Sequence, residues 1–188
     1  MNRITAYIRQ SLQDIYPPEE VKALSMLICC DMLGVDALDI YMGKDIILSA
    51  CKQRELENII FRLQKNEPIQ YIRGYAEFCG RNFRVAPGVL IPRPETAELV
   101  DLIVKENPDA RRLLDIGTGS GCIAISLDKN LPDAKVDAWD ISEEALAIAR
   151  KNNEELDAQV TFRRQDVFSA DGIQGTSYDI IVSNPPYV

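Results

Sequence analysis

The segment Asp115-Ile116-Gly117-Thr118-Gly119-Ser120-Gly121 constrains the fold more than any other stretch of the chain. It closes the strand pattern Leu113 to Ile116 and opens a helical pattern from Gly121 to Asn130, which reads as strand, tight turn and helix. Glycines at alternate positions let the backbone turn sharply and let a ligand approach without interference from a Cβ. The dinucleotide fingerprint G-x-G-x-x-G is not met, because the third glycine comes one residue early and Cys122 occupies its place. Nor is this a phosphate loop, since no Gly-Lys-Ser/Thr follows and the turn holds no lysine or arginine. A ligand without phosphates fits better.

Downstream, strand and helix patterns alternate: Lys135 to Trp139 as strand, Ser142 to Leu156 as helix, then strands at Gln159 to Arg164 and Tyr178 to Ser183. That alternation predicts an α/β, doubly wound sheet, in which ligands bind beyond the carboxyl ends of the strands. Ser142 is placed as an N-cap, with Glu143 and Glu144 in the first turn of its helix. Asp140 ends the second strand, where a carboxylate accepts ribose hydroxyls in NAD-binding and S-adenosylmethionine-binding folds alike. Asp166 follows the third strand and suits an adenine amine, with Val167 or Phe168 lining the ring. Each acid alone is more readily a loop or capping carboxylate than a ligand contact, but together they line one edge.

The fourth strand runs into Asn184-Pro185-Pro186-Tyr187. Two prolines remove two donors, fix two φ angles and push their predecessors toward extended geometry, so neither strand nor helix continues. The result is a stiff turn presenting the Asn184 amide and the Pro185 carbonyl, with the Tyr187 ring beside them. Asn-Pro-Pro alone equally describes a loop that merely leaves a strand.

Residues 1–74 read as helical, in stretches Thr5 to Ile15, Val21 to Leu33 and Lys52 to Lys65, the last with Leu56, Ile59, Ile60 and Leu63 on one face. Residues 75–93, with Gly80-Arg81-Asn82 and Pro87-Gly88 turn signals, read as a hairpin linker. Residues 94–188 form the second domain, opened by a helix with Pro94 in its first turn.

Composition excludes several chemistries. With no histidine among 188 residues, Ser-His-Asp and Cys-His nucleophiles, histidine bases and His-Glu-x-x-His zinc sites are ruled out. The five cysteines, Cys29, Cys30, Cys51, Cys79 and Cys122, show no Cys-x-x-Cys spacing and read as reduced apolar residues, with no metal expected. A net charge of −8 argues against extended contact with a nucleic-acid backbone. No apolar run reaches the roughly 18 residues of a membrane span, and no secretory signal opens the chain, which reads as cytoplasmic.

These residues resemble a known family. Asp115-x-Gly117-x-Gly119-x-Gly121, Asp140, Asp166 and Asn184-Pro185-Pro186-Tyr187 look like the motifs of class I (Rossmann-like) S-adenosylmethionine-dependent methyltransferases acting on planar nitrogen. The helical N-terminal bundle, Gln70-Tyr71-Ile72-x-Gly74 and Ile91-Pro92-Arg93-Pro94-Glu95-Thr96 narrow the resemblance to the HemK/PrmC protein-(glutamine-N(5)) methyltransferases. That family modifies the glutamine of the Gly-Gly-Gln loop in peptide chain release factors. The resemblance implies S-adenosylmethionine held by Asp115, Gly117, Thr118, Gly119, Ser120, Gly121, Asp140, Asp166, Val167 and Asn184. It implies the substrate amide held by Asn184, Pro185, Pro186 and Tyr187, with Asn184, Pro185 and Tyr187 catalytic, and a release factor gripped by the helical domain. It also implies the strand order 3-2-1-4-5-7-6, in which the chain stops after the fourth strand. Two rivals remain open: an N(6)-adenine or other nucleic-acid amino-methyltransferase, and, for a truncated chain, a non-catalytic binding module.

Overall fold

The computed structural model describes residues 3–169 and 177–185, which form two compact units, Met1–Arg73 and Gly74–Val188. Within the first unit, α1 (Arg3–Leu12) buries Ile4, Ile8 and Leu12 at successive i+4 positions. Pro17 and Pro18 separate it from α2 (Pro18–Met26), which opens with proline and then Glu19 and Glu20, as a helix N-terminus favours. The sequence pattern predicts one helix through Leu33, but beyond Met26 the hydrogen bonding widens to a π-helical turn, Leu27–Met32, in which the Leu33 N–H donates to the Ile28 carbonyl at 3.0 Å. A short α3 (Ala37–Tyr41) is capped by Asp36, whose side chain accepts from the Leu38 N–H. Ser49 caps α4 (Ala50–Leu63), which buries the expected Leu56, Ile59, Ile60 and Leu63. The unit ends with α5 (Ile69–Arg73). Tyr16 donates its hydroxyl to the Leu63 carbonyl at 2.8 Å, tying the end of α4 to the loop after α1.

The second unit opens with an antiparallel hairpin, β1 (Tyr75–Phe78) and β2 (Arg81–Arg84), turning through Cys79 and Gly80, both at positive φ. The sequence reads 75–93 as a hairpin linker, and the hairpin stands within the second unit. Phe78 and Phe83 meet edge to face at 5.9 Å and are buried in the core of the second unit, a burial that a linker on the surface would not have. Next comes α6 (Pro94–Glu106), then the sheet: β3 (Arg112–Ile116), β4 (Lys135–Asp140), β5 (Thr161–Arg164) and β6 (Ile180–Ser183), with α7 (Cys122–Asn130) and α8 (Glu143–Glu155) between its first three strands.

All the sheet pairings are parallel and the order is β5-β4-β3-β6, so the four carboxyl ends share one edge. The register sets Ile116 beside both Trp139 and Ser183. Leu113, Leu114 and Ala138 are fully buried, as expected of a parallel sheet shielded by helices. The cysteines are free thiols, and burial pushes Cys29 up to about 11 and Cys122 up to about 12, which makes both poor nucleophiles at neutral pH.

Candidate functional site

At the carboxyl edge, the chain leaves β3 and turns back toward α7 within five residues. The Gly117 and Thr118 N–H groups donate to the Trp139 carbonyl at 2.8 and 3.0 Å, so the turn is bonded to the end of β4. Gly117, Gly119 and Gly121 stand at φ +73°, +56° and +79°, where a Cβ costs about 1–2 kcal/mol. The outer and inner ends of the turn differ. A Cβ at Gly117 would meet nothing within 4 Å, so the backbone there faces open space. One at Gly121 would meet Ile125 Cδ1 at 3.1 Å and Ala149 Cβ at 3.2 Å. The absence of a side chain at Gly121 therefore serves the close packing of α7 and α8, whereas the sequence reading placed it against the ligand. Ser120 is buried, and its carbonyl accepts from Asn152 Nδ2 at 2.8 Å.

The acids of this edge are braced by backbone. Asp140 Oδ2 accepts from the Gly119 N–H at 2.8 Å and Oδ1 from the Ser142 N–H at 2.9 Å, so one carboxylate joins the glycine turn to the start of α8. Each oxygen has a second lone-pair direction, which leaves acceptor capacity for a hydroxyl. Asp115 is fully buried, and its Oδ2 accepts from the Thr118 hydroxyl at 2.6 Å. Its other oxygen, Oδ1, makes no hydrogen bond of good geometry among the described residues, although the Ala124 N–H lies close enough to act on the carboxylate charge. Burial pushes the Asp115 carboxyl up to about 6; the Thr118 hydroxyl and Ala124 N–H pull it down, and nearby Asp140 raises it slightly. Asp166 lies exposed after β5, where its Oδ1 accepts from the Phe168 N–H at 2.9 Å in an Asx turn. Val167 and Phe168 beside it are exposed, the latter almost completely.

Asn184 is the first residue beyond β6. Because Ser183 pairs with Ile116, and donates its hydroxyl to the Ile116 carbonyl at 2.8 Å, Asn184 and the glycine turn leave neighbouring strands at the same level. Adjacent strands are about 4.8 Å apart, so the two segments leave the sheet side by side. The Asn184 side chain is half-buried and donates from Nδ2 to Thr96 Oγ1 at 2.9 Å. Pro185 follows it, exposed. Pro186 and Tyr187 lie outside the described residues.

Two residues of this neighbourhood escaped the sequence reading. Asn152 accepts from the Arg84 N–H at 2.7 Å and donates to the carbonyls of Arg84 and Ser120 at 3.1 and 2.8 Å, joining the hairpin to the glycine turn through one amide. A signal existed, since Asn152 lies on the same helical face as buried Leu146 and Ala149, a polar residue at a core position. Thr96 was read only as part of the Ile91–Thr96 run, with no role in the site. Its side chain meets Asn184 from 88 positions away.

The methyltransferase small domain model matches residues 95–188 and the PrmC N-terminal domain model matches residues 4–74. The chain belongs to the methyltransferase small domain family, PrmC type. This PrmC-type chain is 41% identical over 184 residues to the release factor glutamine methyltransferase of Flavobacterium psychrophilum, covering 95% of the chain and 64% of that relative. With the protein of the same name from Koribacter versatilis it shares 51% identity over 159 residues, covering 83% of the chain and 56% of that relative. The chain thus spans somewhat more than half the length of these curated relatives. Among solved structures, a T. thermophilus 16S rRNA methyltransferase in complex with AdoMet and guanosine superposes with a TM-score of 0.52 at 24% identity, covering 61% of this chain and 32% of that one. This likeness concerns the fold alone.

Proposed function

We propose that this chain binds S-adenosylmethionine and transfers its methyl group to the side-chain amide nitrogen of the glutamine in the Gly-Gly-Gln loop of a peptide chain release factor, in the cytoplasm. The observation that carries this reading is the placement of Asn184 beside the glycine turn, on the strand paired with the one that delivers the turn. Support comes also from the relatives, which carry the name release factor glutamine methyltransferase.

The residues present fit the cofactor. The open backbone at Gly117 admits close approach, and Asp140 keeps acceptor capacity for a hydroxyl beyond its two backbone donors. In this reading Asp115, Gly117, Thr118, Gly119 and Asp140 hold the cofactor, Asp140 accepting from ribose hydroxyls. In the same reading Asp166 would accept from the adenine amine, with Val167 lining the ring. When bound, S-adenosylmethionine supplies an electrophilic methyl carbon, and its sulfur keeps the bonding pair as that carbon leaves.

The chain's own task is to make an amide nitrogen reactive. The lone pair of a carboxamide nitrogen is delocalised into the carbonyl, so the nitrogen is a poor nucleophile. The Asn184 side-chain oxygen and the Pro185 carbonyl each accept one N–H of the substrate glutamine at about 3 Å and hold its nitrogen in line with the methyl carbon. As the N–C bond forms, positive charge grows on the N–H groups, and two fixed neutral acceptors stabilise it more than they stabilise the ground state. The role assigned to Tyr187, from the resemblance of its motif, is to cover the substrate amide and exclude water. The proton leaves to solvent after alkylation, which requires no imidazole. A glutamate in this position would set carboxylate oxygens against two acceptors and be rejected.

The test is methyl transfer from radiolabelled S-adenosylmethionine to a release factor, with the full-length gene product and its Asn184→Ala variant. Calorimetry is expected to show S-adenosylmethionine binding, not NAD binding, with similar affinity in both proteins. Transfer is expected to fall by about 100-fold to 1,000-fold in the variant. Normal turnover by Asn184→Ala would remove the assigned role. A net charge of −8 disfavours the nucleic-acid rival, whose substrate is a polyanion.

A further inference from the structure

We infer that Thr96 is a positioning residue for methyl transfer, holding the Asn184 amide in the one orientation that turns its oxygen toward the acceptor glutamine. The inference rests on the reading of Asn184 given above. Thr96 lies in the first turn of α6 and is buried, and its N–H donates to the Arg93 carbonyl at 3.0 Å, so the backbone that carries it is set. Pro94 at the start of the helix has a φ restricted by its ring, which further limits where the Thr96 hydroxyl can stand. Being β-branched, threonine has few χ1 choices in a helix, so its oxygen is a rigid marker in space.

That oxygen accepts from Asn184 Nδ2 at 2.9 Å. A carboxamide is planar, with its oxygen and nitrogen on opposite sides of the Cγ. A hydrogen bond that fixes the nitrogen therefore fixes the direction of the oxygen. Without it, Asn184 has two torsions to explore, and rotation by a half turn about the second would present an NH2 group to the substrate's own NH2. That arrangement places donor against donor. The Thr96 contact removes the freedom before the substrate arrives, which lowers the entropy lost in reaching the reactive geometry. Ser183, bonded to the Ile116 carbonyl, holds the backbone on the other side, so Asn184 is anchored at both ends. The helix that carries Thr96 begins in the Pro92-Arg93-Pro94-Glu95-Thr96 run, which is thereby linked to the Asn-Pro-Pro turn across the sequence.

Thr96→Val replaces the hydroxyl with a methyl of similar size and keeps the β-branch. In the full-length gene product at saturating S-adenosylmethionine, kcat for release-factor methylation is expected to fall by about 10-fold to 100-fold. Cofactor affinity by calorimetry and the thermal midpoint are expected to change little, and Thr96→Ser should recover most of the rate. The double variant Thr96→Val/Asn184→Ala should be no slower than Asn184→Ala alone, since Thr96 acts only through that amide. Wild-type kcat in Thr96→Val beside an impaired Asn184→Ala would overturn the inference while leaving the function standing. So would a double variant slower than Asn184→Ala by the full single-mutant factor. A fully active Asn184→Ala would overturn the reading of the site itself, and with it any positioning role for Thr96.

Discussion

Asp115 is fully buried at the end of β3, and a carboxylate in that position is costlier charged than neutral. Its folded value, about 6, exceeds the unfolded reference of 3.8, so the folded state binds the extra proton between these values. Stability from this group is therefore greatest below the unfolded value and declines as pH rises toward 6. Above that, the full penalty applies, about 3 kcal/mol from the size of the shift. Asp115→Asn is expected to stabilise the ligand-free protein by about that amount at pH 8 and by roughly half as much at pH 5, measured by urea denaturation. Equal gains at both pH values would show that Asp115 does not titrate as its burial implies. The same variant should weaken S-adenosylmethionine binding, because an amide cannot offer a charged acceptor to an ammonium group.

Between elements, the site depends on contacts that fasten loops to helices. Asn152 of α8 satisfies the Arg84 N–H and two carbonyls, so its removal leaves three buried or half-buried backbone groups without that partner. Asn152→Ala is expected to cost about 2–4 kcal/mol in thermal or urea unfolding and to lower cofactor affinity by loosening the Ser120 end of the turn. Loss of stability with unchanged affinity would confine Asn152 to the hairpin. The periodic elements were legible locally: α4 shows its apolar face as Leu56, Ile59, Ile60 and Leu63, and the four strands of the sheet fall where short apolar runs end in polar or glycine-rich loops. The π-helical turn at Leu27–Met32 was not legible, because its residues form an apolar run that fits a regular helix equally well. Nor was the burial of the hairpin, since alternating residues announce a strand without announcing what covers it.

For the whole molecule, two separate cores correspond to the two units, one built on Ile8, Leu12, Ile28 and Leu56, the other on Phe83, Val100, Leu113 and Ile125. A unit of this size with its own core sits near the lower limit of independent stability, about 3–5 kcal/mol at most. Residues 1–73 expressed alone are expected to give a helical circular dichroism spectrum with a cooperative melt. A gradual, featureless melt would show that this core is completed by something outside it. No helix among the described residues is long and apolar enough to cross a membrane.

Local order in the chain determined the alternation of strand and helix, the turn that needs glycine at Gly117, the proline-stiffened exit after Ser183 and the absence of imidazole chemistry, because each depends on a residue and its near neighbours. Tertiary structure alone decided that Asp140 braces the glycine turn through the Gly119 N–H, that Gly121 faces the packed interior, and that Thr96 meets Asn184. The reason is physical. Such contacts join residues far apart along the chain, and no periodicity or spacing records which distant partner a folded backbone will bring within 3 Å.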